Sequence, residues 1–146
     1  MDSVKANDIK FGLTQEEKIK PDLETIFGNL KKTSKYHNFD FYNDKFYIEV
    51  KSRKKCYKEY PTWWFDNCKR LKAKKLMKEE GVRCFFVWNL LDGIYLWEYK
   101  NIKSQQDNEY YLDQGGRWDR QEHGEVSKLV NVRSQYLIDI NNFIFD

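Results

Sequence analysis

The stretch Phe46-Tyr47-Ile48-Glu49-Val50-Lys51 constrains this chain more than any other. It alternates as a strand does: Phe46, Ile48 and Val50 fall on one face, Tyr47, Glu49 and Lys51 on the other. An acid and a lysine on one face of an otherwise apolar strand are expensive to bury unless they have a use. Just upstream, Phe39-Asp40-Phe41-Tyr42 forms a second apolar-aromatic run. Between the runs lies Asn43-Asp44, a pair suited to a tight turn because both residues tolerate positive φ. With Asn43 and Asp44 as the turn, Tyr42 lies opposite Lys45. Asp40 then lies opposite Tyr47, a diagonal neighbour of Glu49 on the same face. The hairpin Phe39–Lys51 is thus expected to bring a second carboxylate toward the first. A one-residue slip in register would turn Glu49 and Lys51 away.

Elements on either side fit a layered domain. Met1 to Gly12 read as a loosely held lead-in, and Thr14-Gln15-Glu16-Glu17 matches a capping box that opens a helix. Ile19, Leu23, Ile26, Phe27 and Leu30 follow helical spacing, and Glu16 shares the inward face of Ile19 and Leu23. Pro21 is expected to kink or restart that helix, and Gly28 to end or weaken it. Lys31 to His37 reads as a polar connection, with room for a short strand. After the hairpin, Ser52 to Tyr60 is a basic loop, Thr62–Phe65 is a short strand or the approach to a helix, and Asp66 caps a helix that Gly81 ends. On that helix Lys69 points where Ala73, Leu76 and Met77 point, with Lys72 close by; a start at Pro61 would make Lys72 the inward lysine. Arg83–Asn89 is apolar enough for a strand covered on both faces. Asp92-Gly93 signals a hairpin to Ile94–Tyr99. Further strands are expected at Glu109–Leu112 and Tyr136–Ile140, with a Gly115-Gly116 turn between. The order helix, hairpin, helix, strand pair points to an α/β or α+β layer arrangement, with α/β the expected class: a mixed central sheet flanked by helices. One domain over 1–146 is expected, with its core at about 14–99 and an extension over 100–146.

Charge narrows the partner. Residues 51–78 hold eleven Lys or Arg against Glu59 and Asp66, a net +9 in a chain of net +3, which leaves −6 elsewhere. A basic stripe beside acidic residues points to a polyanion. No apolar run approaches the length of a membrane span, and the N-terminus lacks the apolar core of a secretory signal. Cys56, Cys68 and Cys84 form no CxxC pair, as expected of reduced thiols. The expected location is therefore the cytoplasm. His37 and His123 lack metal-ligand spacing with those cysteines, although His37 lies near Asp40. Trp63 and Trp64 are candidates for core packing first and for stacking on unpaired bases second.

Two carboxylates and a lysine at one sheet edge match the needs of phosphodiester hydrolysis. Mg²⁺ prefers hard oxygen ligands, one or two carboxylates plus waters. Asp40 and Glu49 are the candidate metal ligands, with the Val50 carbonyl as a further one, and Lys51 the candidate for positioning the attacking water. Arg53, Lys54, Lys55 and Lys58 directly follow, with Lys72 on the next helix, as candidate phosphate contacts; Arg117 and Arg120 are weaker ones.

These residues resemble a known family. Asp40, followed nine positions later by Glu49-Val50-Lys51, is similar to the PD-(D/E)XK nuclease superfamily, with the restriction-endonuclease-like αβββαβ core. Tyr60-Pro61-Thr62, Lys69 and Asp92-Gly93-Ile94-Tyr95 resemble small phage- and virus-encoded members. Phe39 replaces the usual proline before the first acid. The resemblance implies a Mg²⁺-dependent nuclease, with Mn²⁺ as substitute, acting on nucleic acid and on DNA first. It also implies that Glu16 matches the acid often found on the first helix, and Lys69 or Lys72 the lysine on the second. A host cytoplasm and a homodimer are compatible with it. The alternatives are a non-catalytic nucleic-acid-binding module on the same fold and an assembly protein that binds other proteins.

Overall fold

The computed structural model describes residues 3–34, 39–102, 106–114 and 128–146, with 3–13 and 114 as backbone only. Elements run α1 (Ser3–Phe27), β1 (Lys31–Lys32), β2 (Phe41–Tyr42), β3 (Phe46–Ser52), β4 (Thr62–Asp66), α2 (Asn67–Glu80), β5 (Arg83–Leu90), β6 (Gly93–Tyr99), β7 (Tyr110–Gln114), β8 (Lys128–Arg133) and β9 (Ile138–Asp139). Among the described residues two sheets form: β1-β2-β3-β5-β6-β9, and β4-β8-β7. β3 and β5 are parallel and the other pairs antiparallel, so the larger sheet is mixed. This is the α/β arrangement around a mixed sheet that the element order predicts, and it is compatible with the restriction-endonuclease-like core that the resemblance implies. No helix among the described residues is long and apolar enough to cross a membrane.

The larger sheet is covered on both faces, which is why β5 reads as an apolar run. Phe85 and Val87 point to one side, where they meet Ile19, Leu23 and Phe27 of α1 and Phe46, Ile48 and Val50 of β3. Cys84, Phe86 and Trp88 point to the other, toward Ala73 and Leu76 of α2 and Phe65 and Trp63 of β4. Phe65 stacks on Phe86 with ring centroids 3.8 Å apart, joining the two sheets. The thiols of Cys56, Cys68 and Cys84 are free, and burial pushes that of Cys84 up to about 12, so it packs as an inert core group.

Several local expectations are corrected. The first helix does not begin at Thr14: its backbone starts at Ser3, so the Thr14 box lies inside it and caps nothing. It also continues through Pro21, which is exposed; the missing N–H loses one bond on the solvent side, and burial of Leu23 and Phe27 on the opposite side holds the helix. Gly28, with φ of 80°, ends it. The β5–β6 turn is centred on Leu91-Asp92, because Gly93 already pairs with Leu90. The strand expected at Tyr136–Ile140 reduces to β9, preceded by a single turn of 3-10 helix at Ser134–Tyr136. A strand the sequence reading missed, β8, runs between β4 and β7 and buries Val130 and Val132. His37, His123, the Gly115-Gly116 turn, Arg117 and Arg120 lie outside the described residues.

Candidate active site

The β2–β3 hairpin sets the site, and its register differs from the expected one. Phe41 pairs with Ile48 and Tyr42 with Tyr47, so Asp44-Lys45 forms the tip. Asn43 is displaced from the turn centre because its side chain does other work. Its Oδ1 accepts from the amides of Lys45 and Phe46, both at 2.9 Å, and its Nδ2 donates to the carbonyls of Phe27 at 2.9 Å and Asn29 at 3.1 Å. Asn43 thus builds an Asx-turn that also ties the hairpin to the end of α1. The resulting shift moves the partner of a β2 residue by two positions along β3. Face alternation survives a shift of two, and Asp40 comes one step beyond the last pair on β2 just as Glu49 does on β3.

At Asp40 the ladder ends. Its backbone N–H donates to Ile48 O at 3.0 Å, and its Oδ2 accepts the Val50 N–H at 2.7 Å. A strand residue sends its N–H and C=O to the same side, so the Val50 carbonyl also points past the end of β2 toward Asp40. Thr33, just beyond β1, braces this corner: its amide donates to Asp40 O at 3.0 Å and its hydroxyl to Phe39 O.

Glu49 is 3% exposed, on the α2 side of β3. Its Oε2 lies 3.0 Å from Lys69 Nζ and 3.3 Å from Lys51 Nζ. Lys69 therefore faces the site from the first turn of α2; α2 starts at Asn67, not at Pro61, and no contact of Lys72 with the carboxylates occurs among the described residues. Glu49 also hydrogen-bonds Asp40, and Asp40 hydrogen-bonds Glu16, whose Oε2 is 3.9 Å from Lys32 Nζ. The sequence reading missed Lys32 and Thr33, which sit in a segment with no periodicity to mark them.

Electrostatics follow from this crowding. Burial, then the adjacent Asp40 charge, pushes the Glu49 carboxyl up to about 7, against the opposing pull of Lys51 and Lys69. Burial likewise raises Asp40 and Glu16, and Lys32 partly offsets the rise of Glu16. Asp40 and Glu49 hydrogen-bond each other and both are raised, so the two titrate as a pair that keeps a proton more readily than an isolated carboxylate does.

The three carboxyls form a chain rather than converging on one point. No group of three or more His, Cys, Asp or Glu among the described residues is arranged to hold a metal ion. The donor set nevertheless fits one. Mg²⁺ is bound by one or two carboxylates with waters completing the shell, not by a full protein cage. Asp40, Glu49 and the Val50 carbonyl supply hard oxygens at one corner, a donor set of the kind Mg²⁺ accepts.

The other candidates lie on the loop after β3 and on α2. Arg53, Lys54, Lys55 and Lys58 are exposed, and Lys72 is half-buried on α2. Their loop is anchored: Arg53 N donates to Asn89 O at 3.0 Å, Lys55 O accepts from Leu91 N at 2.9 Å, and Tyr57 stacks on Tyr95 at 4.4 Å. Of the tryptophans, Trp63 is core and Trp64 is 36% exposed.

An α/β fold with its mixed sheet covered on both faces, Glu-x-Lys on one strand and Asp at the end of the neighbouring strand, matches the pattern of a PD-(D/E)XK nuclease. The chain belongs to the family described as "Phage putative PDDEXK endonuclease", whose profile matches residues 9–143. No curated protein and no solved structure matches it.

Proposed function

We propose that this protein is a Mg²⁺-dependent endonuclease that hydrolyses phosphodiester bonds in DNA. The observation that carries the reading is Glu49, an almost fully buried carboxylate held against Asp40 on one side and against Lys51 and Lys69 on the other. A purely structural pair does not need two acids and two ammonium groups in one desolvated corner, since an apolar replacement is usually as stable.

In this reading Asp40, Glu49 and the Val50 carbonyl would hold the metal, and Glu16, hydrogen-bonded to Asp40, would support them. Bound there, the ion neutralises the phosphate and lowers the pKa of water. Lys51 Nζ orients the attacking water as a hydrogen-bond donor, and Lys69 Nζ steadies the phosphate oxygens as charge builds on them. As water attacks, it gives up one proton to solvent and forms the new P–O bond, and the bond to the leaving oxygen breaks as that oxygen takes up a proton from solvent. Arg53, Lys54, Lys55, Lys58 and Lys72 contact flanking phosphates.

The test is a panel of supercoiled, linear, single-stranded, branched and RNA substrates with Mg²⁺ or Mn²⁺. Metal-dependent cleavage of a DNA member that Glu49→Gln abolishes supports the reading. Salt-sensitive binding with no cleavage under any metal would leave a binding module of the same fold instead.

A further inference from the structure

The cations of α2 divide between two flanks of the helix. Lys69 Nζ reaches Glu49 on β3, whereas its neighbour Arg70, about 100° further round, reaches Tyr99 on β6. β5 lies between those two strands, which sets them about 10 Å apart. On the Arg70 flank a cavity of about 340 Å³ is lined by Arg70, Lys74, Tyr99 and Tyr110. A group held there is not the one under attack at the acidic corner.

This cavity is rich in donors and poor in acceptors. Arg70 donates from Nε to Asn67 Oδ1 at 2.6 Å and from Nη1 to Tyr99 Oη at 3.4 Å, and it also bonds Tyr110. All three acceptors are neutral, and a guanidinium has five N–H groups to place. The Tyr99 and Tyr110 hydroxyls bond each other, which uses only one of their two hydrogens. Burial, followed by the nearby Tyr99, raises the Tyr110 phenol, so it keeps its hydrogen at neutral pH. Lys74, exposed and one helical turn from Arg70, adds a second cation, and like charges at that spacing repel. Among the described residues no carboxylate lies within 4.0 Å of either cation. At the rim, Lys100 is turned to Asp146 at 3.2 Å, and Asp107 is exposed.

Two cations and a spare phenol hydrogen in one concavity suit an oxyanion. The planar fork of Arg70 matches two oxygens of a phosphate, and a third oxygen is left for Lys74 or the phenol. A carboxylate has only two oxygens and would leave one of these donors unused.

We propose that the Arg70–Lys74–Tyr110 cavity binds a phosphate group other than the scissile one, supplied by a flanking phosphodiester of a nucleic-acid strand or by a free phosphorylated ligand. Inorganic phosphate is titrated into the full chain in EDTA, at an ionic strength held constant with chloride. The Arg70 Nε–H signal is followed by two-dimensional NMR and identified by its loss in Arg70→Lys. It is expected to shift saturably, with half-saturation on the order of 1 mM. Lys74→Gln is expected to weaken binding about 10-fold and Tyr110→Phe about fivefold, as losses of a charge-assisted and a neutral donor. Lys74 is exposed and Phe keeps the ring, so neither change threatens the fold. A short single-stranded oligonucleotide and deoxyadenosine 5′-monophosphate then separate the two sources. Half-saturation by the oligonucleotide at least about 10-fold below that of inorganic phosphate assigns the group to a strand. The same gain with the mononucleotide alone, or with neither, assigns it to a free ligand. An absent or unsaturable shift overturns the proposal, as do an equal shift with chloride alone and saturation that neither variant weakens. The titration needs no cleavage, so its failure leaves the nuclease reading standing, and a wild type that cuts nothing leaves the phosphate site standing.

Discussion

The Asp40 carboxylate accepts the Val50 amide hydrogen at 2.7 Å where the β2–β3 ladder stops. The side chain thereby replaces the backbone partner that β3 has lost, and its position next to Glu49 is fixed by the same bond. Structure and proposed chemistry can be separated here. Asp40→Asn keeps an oxygen for the Val50 N–H but removes the charge, whereas Asp40→Ala leaves that N–H without an acceptor. Chemical denaturation is expected to place the Asn variant within about 1 kcal/mol of wild type and the Ala variant about 1–3 kcal/mol below it. Cleavage by both is expected to fall by a factor on the order of 10³. An active Asn variant removes Asp40 from the metal site.

Glu49 makes the metal-free protein sensitive to pH. Its carboxyl titrates near 7 in the fold against the ordinary 4.5, so between these values the folded chain keeps a proton that the unfolded chain has lost. This contribution is full below pH 4.5 and disappears as pH rises through about 7. Asp40 and Glu16 are raised too and act in the same direction. Thermal melts in EDTA are expected to show stability falling from pH 5 to 8, by on the order of 3 kcal/mol at most from Glu49. Glu49→Gln should flatten most of that slope and melt above wild type at pH 8.

A divalent ion is expected to reverse that loss. A cation replaces the shared proton, so binding releases it and is tighter at high pH. At a concentration about 100 times Kd the gain is about 2.7 kcal/mol. For a chain of this size that raises Tm by roughly 8 °C. Scanning calorimetry with Mg²⁺ and Mn²⁺ at pH 6 and pH 8 should show the larger rise at pH 8 and none in Asp40→Asn. An equal rise in that variant would place the ion elsewhere.

The two candidate lysines of α2 are expected to differ. Lys69 Nζ is 3.0 Å from Glu49 Oε2, while Lys72 makes no such contact among the described residues. Lys69→Ala removes one of two groups that hold the Glu49 charge, so kcat is expected to drop about 10- to 100-fold with little change in KM. Lys72→Ala is expected to leave kcat alone and raise KM a few-fold through a lost phosphate contact. Steady-state kinetics on one substrate distinguishes the pair, and reversed effects would exchange their roles.

The parts of this site that a sequence reveals are those set by period. Alternation put Glu49 and Lys51 on one face of β3, helical spacing left Lys69 and Lys72 as the two candidates from α2, and Gly81 marked the end of that helix. The hairpin register was not legible, because Asn43 is equally suited to the centre of a turn and to bracing one from its side chain. Which use wins depends on the carbonyls of Phe27 and Asn29, sixteen and fourteen residues away, and local propensity does not report them. The helix start failed for a similar reason: a capping box inside a longer helix has no free amides to cap, and nothing within Thr14–Glu17 says so. Strand β8 was hidden because its pairing partners β4 and β7 lie far apart in the chain and define no hairpin with a short turn.

The basic loop yields the last prediction. Arg53, Lys54, Lys55 and Lys58 are exposed, and the loop backbone is pinned to the β5–β6 turn through Asn89 O and Leu91 N, so the four charges are presented from a fixed frame. Charges held in place beside the acidic corner lose less entropy on binding phosphate than charges on a free tail. Each phosphate neutralised contributes about −0.9 to the slope of log K against log salt on duplex DNA. Replacing all four with Gln is expected to reduce that slope by about 2 to 4 units and weaken duplex binding at low salt without altering the fold. Affinity measured between 50 mM and 200 mM salt decides it. A slope unchanged by the four replacements would move the phosphate contacts away from this loop, and α2, with Lys72 and Lys74 on its surface, would then be the next place to look.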